Sequence, residues 1–163
     1  MLHIAPEKNL QKVLKASNNI EYISGDLNPL VADRKIDITN INFENDCFDF
    51  IICNHVLEHI QDDRKAMSEL FRVLKSGGEA ILQVPISKYN KKTFEDFSIT
   101  SPEGRERYFG QKDHVRIYGK DYKKRLESVG FKVNLYDIKN DLSIQDIKKY
   151  GINKEEILYI GKK

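Results

Sequence analysis

The stretch from residue 48 to residue 78 constrains the fold more than any other part of this sequence. It opens with the nearly continuous apolar run FDFIIC, passes through a polar turn rich in ionisable groups, and ends in an amphipathic pattern followed by two glycines. A near-continuous apolar run predicts a strand that is covered on both faces, as in a parallel sheet. Ligands of open parallel sheets bind outside the carboxyl ends of the strands, so we expect a ligand at the polar turn.

Apolar patterns on both sides of this stretch predict strands that alternate with helices. The short links between them indicate an α/β fold with a doubly wound parallel sheet. We expect strands at residues 2–4, 20–23, 36–38, 48–53, 80–84, 131–138 and 157–160. We also expect four helices. The first starts at Glu7, the second starts at Asp62-Asp63 and ends at Gly77-Gly78, and the other two span 120–129 and 144–150.

The alternation stops between residues 87 and 118. This segment is polar and aromatic, and it contains one helical signal, where Ser101 can cap a helix and Pro102 can occupy its first position. A loop of this length inside a compact domain is usually functional or disordered. We therefore predict a single domain, residues 1–163, with a lid or substrate segment at about 87–118.

Composition narrows the class of protein. A chain of 163 residues with 40% hydrophobic residues fits one domain. Its 27 basic and 25 acidic residues give no electrostatic case for nucleic acid. The sequence also lacks an apolar run long enough to span a membrane and a secretion signal, so we expect a cytoplasmic protein without a membrane partner. Cys47 and Cys53 are too few for a disulfide framework and are expected to be reduced.

Several residues and motifs occur in a characteristic order along the chain: Asp26 at a strand end, the Asp37-Ile38 pair, and the runs FDFIICNHVLEHI, RVLKSGG, EAILQVPI, FGQKDHVRIYG and KRLESVGFKV. This order resembles the class I S-adenosylmethionine-dependent methyltransferases. The chain looks most like the type-11-like branch, with an APE variant of the first glycine-rich turn. The resemblance implies a Rossmann-like, mostly parallel, seven-stranded sheet whose last strand is antiparallel, with S-adenosylmethionine as cofactor.

The resemblance also implies roles for individual residues. Asp26 would bind the ribose hydroxyls, since a carboxylate can accept two hydrogen bonds. Asp37 would accept from the adenine amino group while the Ile38 backbone meets the adenine ring. Asn54 and His55 would line the methionine portion. The alternative for these Asp and Asn residues is a turn or a helix cap without any ligand.

The first turn departs from the family pattern. Where the family has a GxGxG turn, this chain has Ala5, Pro6 and Glu7, and proline has no amide hydrogen to donate. Glu7 could pair with the cofactor's ammonium group, or it could simply favour the helix start. The sequence also starts directly at the first strand, without the usual N-terminal helices, so we expect cover from the 87–118 segment or from a homo-oligomer partner.

The run His55-x-x-Glu58-His59 is the sharpest chemical motif. Its spacing matches a zinc-protease pattern, but it follows a buried strand and not the helix that this chemistry needs. Some methyltransferases of the family bind a divalent metal with a similar cluster, whereas many carry the Glu-His pair without one. The candidate ligands here are Glu58, His59 and the distant His114, and the sequence favours no metal.

The expected reaction is methyl transfer to an unidentified small-molecule or glycan-type acceptor. His114 is the candidate base because its ordinary pKa is near neutral, and Arg105, Arg107 and Arg116 could hold an anionic substrate. The alternative is a non-catalytic protein of this fold that binds a nucleotide-like ligand or a partner subunit. A metal-dependent nucleic-acid methyltransferase would need bound metal and a basic surface.

Overall fold

The computed structural model describes residues 1–153 and 155–163. In this part of the chain, the strands are β1 (Leu2–Ile4), β2 (Ile23–Asp26), β3 (Arg34–Lys35), β4 (Phe48–Cys53), β5 (Leu74–Ile81), β6 (Phe94–Glu95), β7 (Arg116–Ile117), β8 (Lys132–Asp137) and β9 (Ile157–Lys162). The α-helices are α1 (Lys8–Lys15), α2 (Asp63–Val73), α3 (Pro102–Phe109), α4 (Tyr122–Glu127) and α5 (Ile144–Lys149), with 3-10 turns at Leu57–His59 and Ile138–Asn140.

Seven strands form one sheet in the order β3-β2-β1-β4-β5-β9-β8. The first five are parallel, whereas β9 runs antiparallel to both β5 and β8. The predicted doubly wound sheet with an antiparallel last strand is confirmed. The crossover between β1 and β4 places the middle of the sheet where the strand order reverses, which is where ligands of such folds bind.

The centre of the sheet is buried on both faces, as the apolar run of β4 predicted. Leu2 and Ile51 are completely buried, and they face each other in the register of β1 and β4. Helix α2 covers the sheet with a fully buried stripe that includes Met67 and Leu70. Asp62 caps this helix by accepting a hydrogen bond from the backbone of Lys65, as its position before the apolar stripe predicted.

Several predicted boundaries are wrong, among them that of the fifth strand, which spans Leu74–Ile81 and not 80–84. The second strand lies at Ile23–Asp26 and not at 20–23, because parallel pairing with β1 aligns Leu2 with Ile23. The third strand is Arg34–Lys35, which pair with Gly25 and Asp26 of β2. Residues 36–38 follow the strand: the Ile36 N–H donates to the Asp26 carbonyl, and the side chains of Ile36 and Ile38 are buried in the core. Helix α2 ends at Val73, four residues before Gly77, because Leu74 is extended and fully buried beside Phe48.

The 87–118 segment is more regular than predicted. Helix α3 begins where Ser101 accepts a hydrogen bond from the Gly104 backbone and Pro102 opens the first turn, as expected. The two-stranded antiparallel sheet that β6 and β7 form was not predicted from the sequence. Helix α4 is also shorter than the predicted span of 120–129. No helix in the described part of the chain is long and apolar enough to cross a membrane.

Candidate cofactor and acceptor site

Three neighbouring strands end at the same level of the sheet, and polar side chains lie at or just beyond these ends. In the parallel register, Ile4 at the end of β1 faces both Gly25 in β2 and Cys53 at the end of β4. The next residues along each strand are Ala5, Asp26 and Asn54. The fold therefore brings together three of the positions that the sequence assigned to the cofactor.

Two of the turns at this edge have a left-handed backbone. Ala5 has a φ of 47° and His55 a φ of 54°, although neither is glycine. Their amides continue the strand ladders, because Ala5 N–H donates to the Gly25 carbonyl and His55 N–H donates to the Gln83 carbonyl, both at 2.8 Å. Such conformations cost about 1 kcal/mol or more for residues with a Cβ and are concentrated at functional sites.

Glu7 is held at this edge by two side chains from β1 and β4. Its Oε2 lies 2.7 Å from Nε2 of His3, and its Oε1 accepts a hydrogen bond of 3.1 Å from the Asn54 amide. His3 is fully buried, and its Nδ1 lies 2.9 Å from the Tyr22 hydroxyl. Partial burial raises the pKa of Glu7, but hydrogen bonds from its own backbone, Asn54 and His3 outweigh it and lower the pKa below its ordinary value.

Two buried side-chain oxygens lack a hydrogen-bond partner among the described residues: Asn54 Oδ1 and Glu58 Oε2. Leaving a buried polar atom unpaired costs about 1–3 kcal/mol, so such atoms call for an explanation. Asn54 directly follows β4, and Glu58 lies in the 3-10 turn after it. Both orphan oxygens thus belong to the polar turn where the sequence predicted a ligand.

Asp26 and Asp37 are available to a ligand at the ends of β2 and β3. Asp26 is half-buried, and its Oδ1 accepts a hydrogen bond from the Asn28 backbone. Asp37 is exposed, and hydrogen bonds from the backbone and hydroxyl of Thr39 lower its pKa. These are the local turn contacts that the sequence named as the alternative role. Each contact uses one oxygen of the carboxylate.

Glu58, His59 and His114 form a cluster beside this edge. Each offers one ligand atom, and the three atoms lie within 4.8 Å of one another. Burial lowers the pKa of His114, and the neighbouring His59 lowers it further against the opposing effect of Glu58 and Asp113. The sequence placed His114 in a distant segment, and the structure brings it to the Glu-His pair.

The segment that carries His114 is anchored by a buried arginine. Arg116 is 1% exposed, and its guanidinium donates to the carbonyls of Leu57, Ile60 and Gln61 while it pairs with Glu95 at 3.0 Å. The expectation that Arg116 holds an anionic substrate is therefore wrong, because its donors are already used inside the protein.

A second arginine extends this anchor into helix α4. Arg125 bonds both oxygens of Asp63 and also pairs with Glu95. Asp63 accepts another hydrogen bond, of 2.6 Å, from the buried Tyr118 hydroxyl. Sequence reasoning did not find this network, because its members lie in four separate elements and no local pattern connects them.

Two adjoining clefts open at the carboxyl ends of β4 and β5. The smaller, of about 190 Å³, is lined by Glu58, Pro85, Ile86, Phe109, His114 and Ile117. The larger, of about 410 Å³, is lined by His55, Gln83, Pro85, Ile86, Lys120 and Glu156. The cleft of about 580 Å³ near Met1, Phe48 and Lys75 lies at the opposite, amino edge of the strands, away from the orphan oxygens.

This combination of sheet and site defines a class of protein. A seven-stranded sheet in which one reversed strand, β9, lies between β5 and β8, with polar side chains at the ends of β1, β2 and β4, is the Rossmann-like methyltransferase fold. Residues 3–82 match the family described as methyltransferase domain. The match covers 80 of the 163 residues, so just under half of the chain is similar to this family, and the fold is that of the S-adenosylmethionine-dependent methyltransferases.

Comparisons with individual proteins agree with this class. A chain of the complex between the Haloferax volcanii Trm112 methyltransferase activator and a methyltransferase has a TM-score of 0.65 at 13% identity, over 99% of this chain and 80% of its own. A SAM-dependent methyltransferase from Archaeoglobus fulgidus has a TM-score of 0.62 at 17% identity, over 99% of this chain and 85% of its own. At these identities the likeness concerns the fold.

A sequence relative is the uncharacterized protein MJ0638 of Methanocaldococcus jannaschii. It is 35% identical over 89 residues, which amounts to 50% of this chain. The match spans only 39% of that relative's length.

Proposed function

We propose that this protein transfers a methyl group from S-adenosylmethionine to a small-molecule or glycan-type acceptor. The observation that carries the proposal is the alignment of Glu7, Asp26 and Asn54 at one edge of the sheet, with a buried and unpartnered oxygen on Asn54. This oxygen accepts no hydrogen bond from the described residues, and an amino group could donate one. The methionine end of the cofactor carries such a group.

In the proposed cofactor site, residues from different turns each bind one part of S-adenosylmethionine. Glu7 and Asn54 hold the ammonium group, with Ala5 and Pro6 forming the wall of the first turn. Asp26 accepts from the ribose hydroxyls. The adenine and sulfonium contacts come from the remaining residues that the sequence named, namely Asp37, Ile38 and His55. The bound cofactor supplies a methyl group on a positively charged sulfur, and the protein's own part is to orient that group toward the acceptor.

The 87–118 segment is the proposed wall of the acceptor site. His114 lines the cleft of about 190 Å³, where it could take a proton from an acceptor hydroxyl or amine. Burial lowers its pKa, so the imidazole is neutral at pH 7 and can act as a base. Nucleic acid and membrane are not proposed partners, since the formal net charge is only +2. A cytoplasmic location and a homo-oligomer stay predictions from sequence.

Calorimetry with S-adenosylmethionine and its demethylated product tests the cofactor site. We expect micromolar binding by the native chain and a loss of about tenfold or more in Asp26→Ala and Asp37→Ala, because each removes charged hydrogen bonds worth about 1.5–3 kcal/mol. Asp49→Ala is the matched control, since Asp49 is exposed at the amino edge and pairs with Lys75.

The result also separates the enzyme from the alternative. If neither compound binds the folded native chain, the cofactor assignment fails. The protein is then a non-catalytic member of the fold, in which the contacts of Glu7 with His3 and Asn54 close the first turn. Equal losses in Asp49→Ala and in the two site variants would likewise contradict the site.

A further inference from the structure

The cluster of Glu58, His59 and His114 has the composition of a metal site. A carboxylate with two imidazoles is a donor set that zinc, cobalt and other first-row divalent ions accept, often with positions left open for a substrate. Ligand atoms on one such ion stand about 3 Å apart, because each bond is about 2.0–2.2 Å long. The three atoms here lie within 4.8 Å of one another, so side-chain rotation alone can close the gap.

The carboxylate of this cluster lacks a partner. Glu58 is 2% exposed, and its Oε2 accepts no hydrogen bond from the described residues, although its Oε1 lies 3.5 Å from Nδ1 of His55. A buried carboxylate oxygen without a donor is costly. A cation between Glu58 and the two histidines would remove that cost.

His59 is already oriented as a ligand would be. Its Nδ1 lies 3.3 Å from the backbone carbonyl of Asp113 and 3.3 Å from the carboxylate of the same residue. Metal-binding histidines usually donate their second ring nitrogen to a carbonyl or carboxylate, which fixes the ring and leaves the other nitrogen for the ion. Asp113 precedes His114, so the same short stretch supplies one ligand and orients another.

Hydrogen bonds from Arg116 and Val115 fix the backbone around the cluster. Arg116 bonds the carbonyls of Leu57 and Ile60, which flank Glu58 and His59, and it lies two residues after His114. The backbone of Val115 also donates to the Glu58 carbonyl at 3.0 Å. These contacts hold the two halves of the cluster together without using the ligand atoms.

We propose that Glu58, His59 and His114 bind one divalent first-row metal ion, of the zinc or cobalt kind, at the wall of the acceptor cleft. The ion would have its open positions toward the cleft of about 190 Å³, which Glu58 and His114 line. This inference rests on the proposed methyl transfer for its catalytic meaning, and it names the acceptor group as a hydroxyl.

The ion acts by lowering the pKa of an acceptor hydroxyl that it contacts. The hydroxyl oxygen forms a bond to the methyl carbon as the bond between that carbon and the sulfonium sulfur breaks. The electron pair of the broken bond stays on sulfur, and the hydroxyl proton passes to solvent. In this arrangement His114 holds the ion instead of taking the proton.

The test is binding of metal alone to the full chain after removal of metal with a chelator. We expect one equivalent of Zn²⁺ by calorimetry, and Co²⁺ to give visible absorption bands of a site with nitrogen and oxygen ligands. Glu58→Gln, His59→Gln and His114→Gln should each weaken Zn²⁺ binding at least about tenfold, whereas Mg²⁺ should bind far more weakly to the native chain because imidazole ligands disfavour it.

Two controls keep the result interpretable. Glu103→Gln removes an exposed carboxylate of α3 outside the cluster and should leave Zn²⁺ binding unchanged. Circular dichroism of the metal-free variants checks that they fold, and Zn²⁺ should raise the melting temperature of the native chain but not of a folded Glu58→Gln variant. The metal site is overturned if the folded native chain fails to bind Zn²⁺ or Co²⁺, or if all three variants bind Zn²⁺ as tightly as the native chain does.

The outcome is separable from that of the cofactor test. S-adenosylmethionine binding without metal binding overturns this inference and leaves the methyltransferase proposal standing. Metal binding without cofactor binding supports the site but overturns the role given to it in methyl transfer.

Discussion

Ala5 illustrates how a residue can keep the geometry of a turn while departing from its sequence pattern. The sequence lacks the glycine of the family pattern at this turn, yet Ala5 takes the left-handed conformation that glycine favours, with a φ of 47°. Its amide is used by the Gly25 carbonyl. The first turn therefore keeps a left-handed residue where the family pattern has glycine, and Glu7 beside it is an acceptor in the proposed cofactor site.

Glu7 should make the stability of the protein depend on pH. Its pKa in the folded state lies below the ordinary value of 4.5, so its contribution is fully present above that value and is lost as the pH falls through the folded-state pKa. Between pH 7 and pH 3, the free energy of unfolding should fall less in Glu7→Gln than in the native chain. Urea denaturation at both pH values measures the difference.

The exposed Glu21 provides the control for this prediction. Glu21→Gln should lose as much stability as the native chain over the same pH interval. If Glu7→Gln and Glu21→Gln cannot be distinguished, the hydrogen bonds from His3 and Asn54 do not hold the Glu7 carboxylate in its charged form.

The residues of this candidate site could be predicted from the sequence only in part, because several of them contact residues that are far away in sequence. Glu7, Asp26 and Asn54 could be named because each follows a predicted strand. Two residues that orient this site were not identified from the sequence. His3, which bonds Glu7, lies within a buried strand, and Asp113, which bonds His59, lies in an irregular segment. Their importance depends on which neighbour the fold brings to them.

At the scale of elements, strand pairing decided what local propensity could not. Two glycines at 77 and 78 are good helix terminators, but α2 ends earlier because Leu74 gains more by pairing with Phe48. Gly78 instead lies within β5, where its backbone comes close to Asp49 in β4. A Cβ at this position would lie 2.9 Å from the Asp49 carbonyl oxygen. The existence and order of strands and helices were thus predictable, whereas their ends depended on partners far away in sequence.

The anchor of the 87–118 segment should be a major source of stability. Arg116→Met removes the charge from a fully buried position and leaves three carbonyls and part of the charge of Glu95 without their partner. Breaking such a buried arrangement costs about 3–5 kcal/mol. The free energy of unfolding, measured by urea denaturation, should fall by that amount.

Arg107 in helix α3 is the matched control, because it is an exposed arginine of the same segment. Arg107→Met should change the free energy of unfolding by less than about 0.5 kcal/mol. Equal effects of the two substitutions would mean that the segment is held by its apolar contacts alone.

At the scale of the whole molecule, one sheet and one hydrophobic cluster should unfold together. The buried cluster extends from Leu2 in β1 to Tyr159 in β9, so neither half of the sheet has a core of its own. We expect a single urea transition. Circular dichroism and the fluorescence of the tyrosines, which include the fully buried Tyr118 and Tyr122, should report the same midpoint. Two separate midpoints would contradict the single domain predicted from the sequence.

The anchor at Arg116 also has a consequence for how this chain can diversify. Three partners of Arg116 are main-chain carbonyls, which a side-chain substitution does not remove. The segment therefore stays anchored when its outward side chains change. Tyr108, which is about half exposed, belongs to those outward positions. Descendants of this chain can therefore vary the exposed face of the segment at little risk to the scaffold beneath.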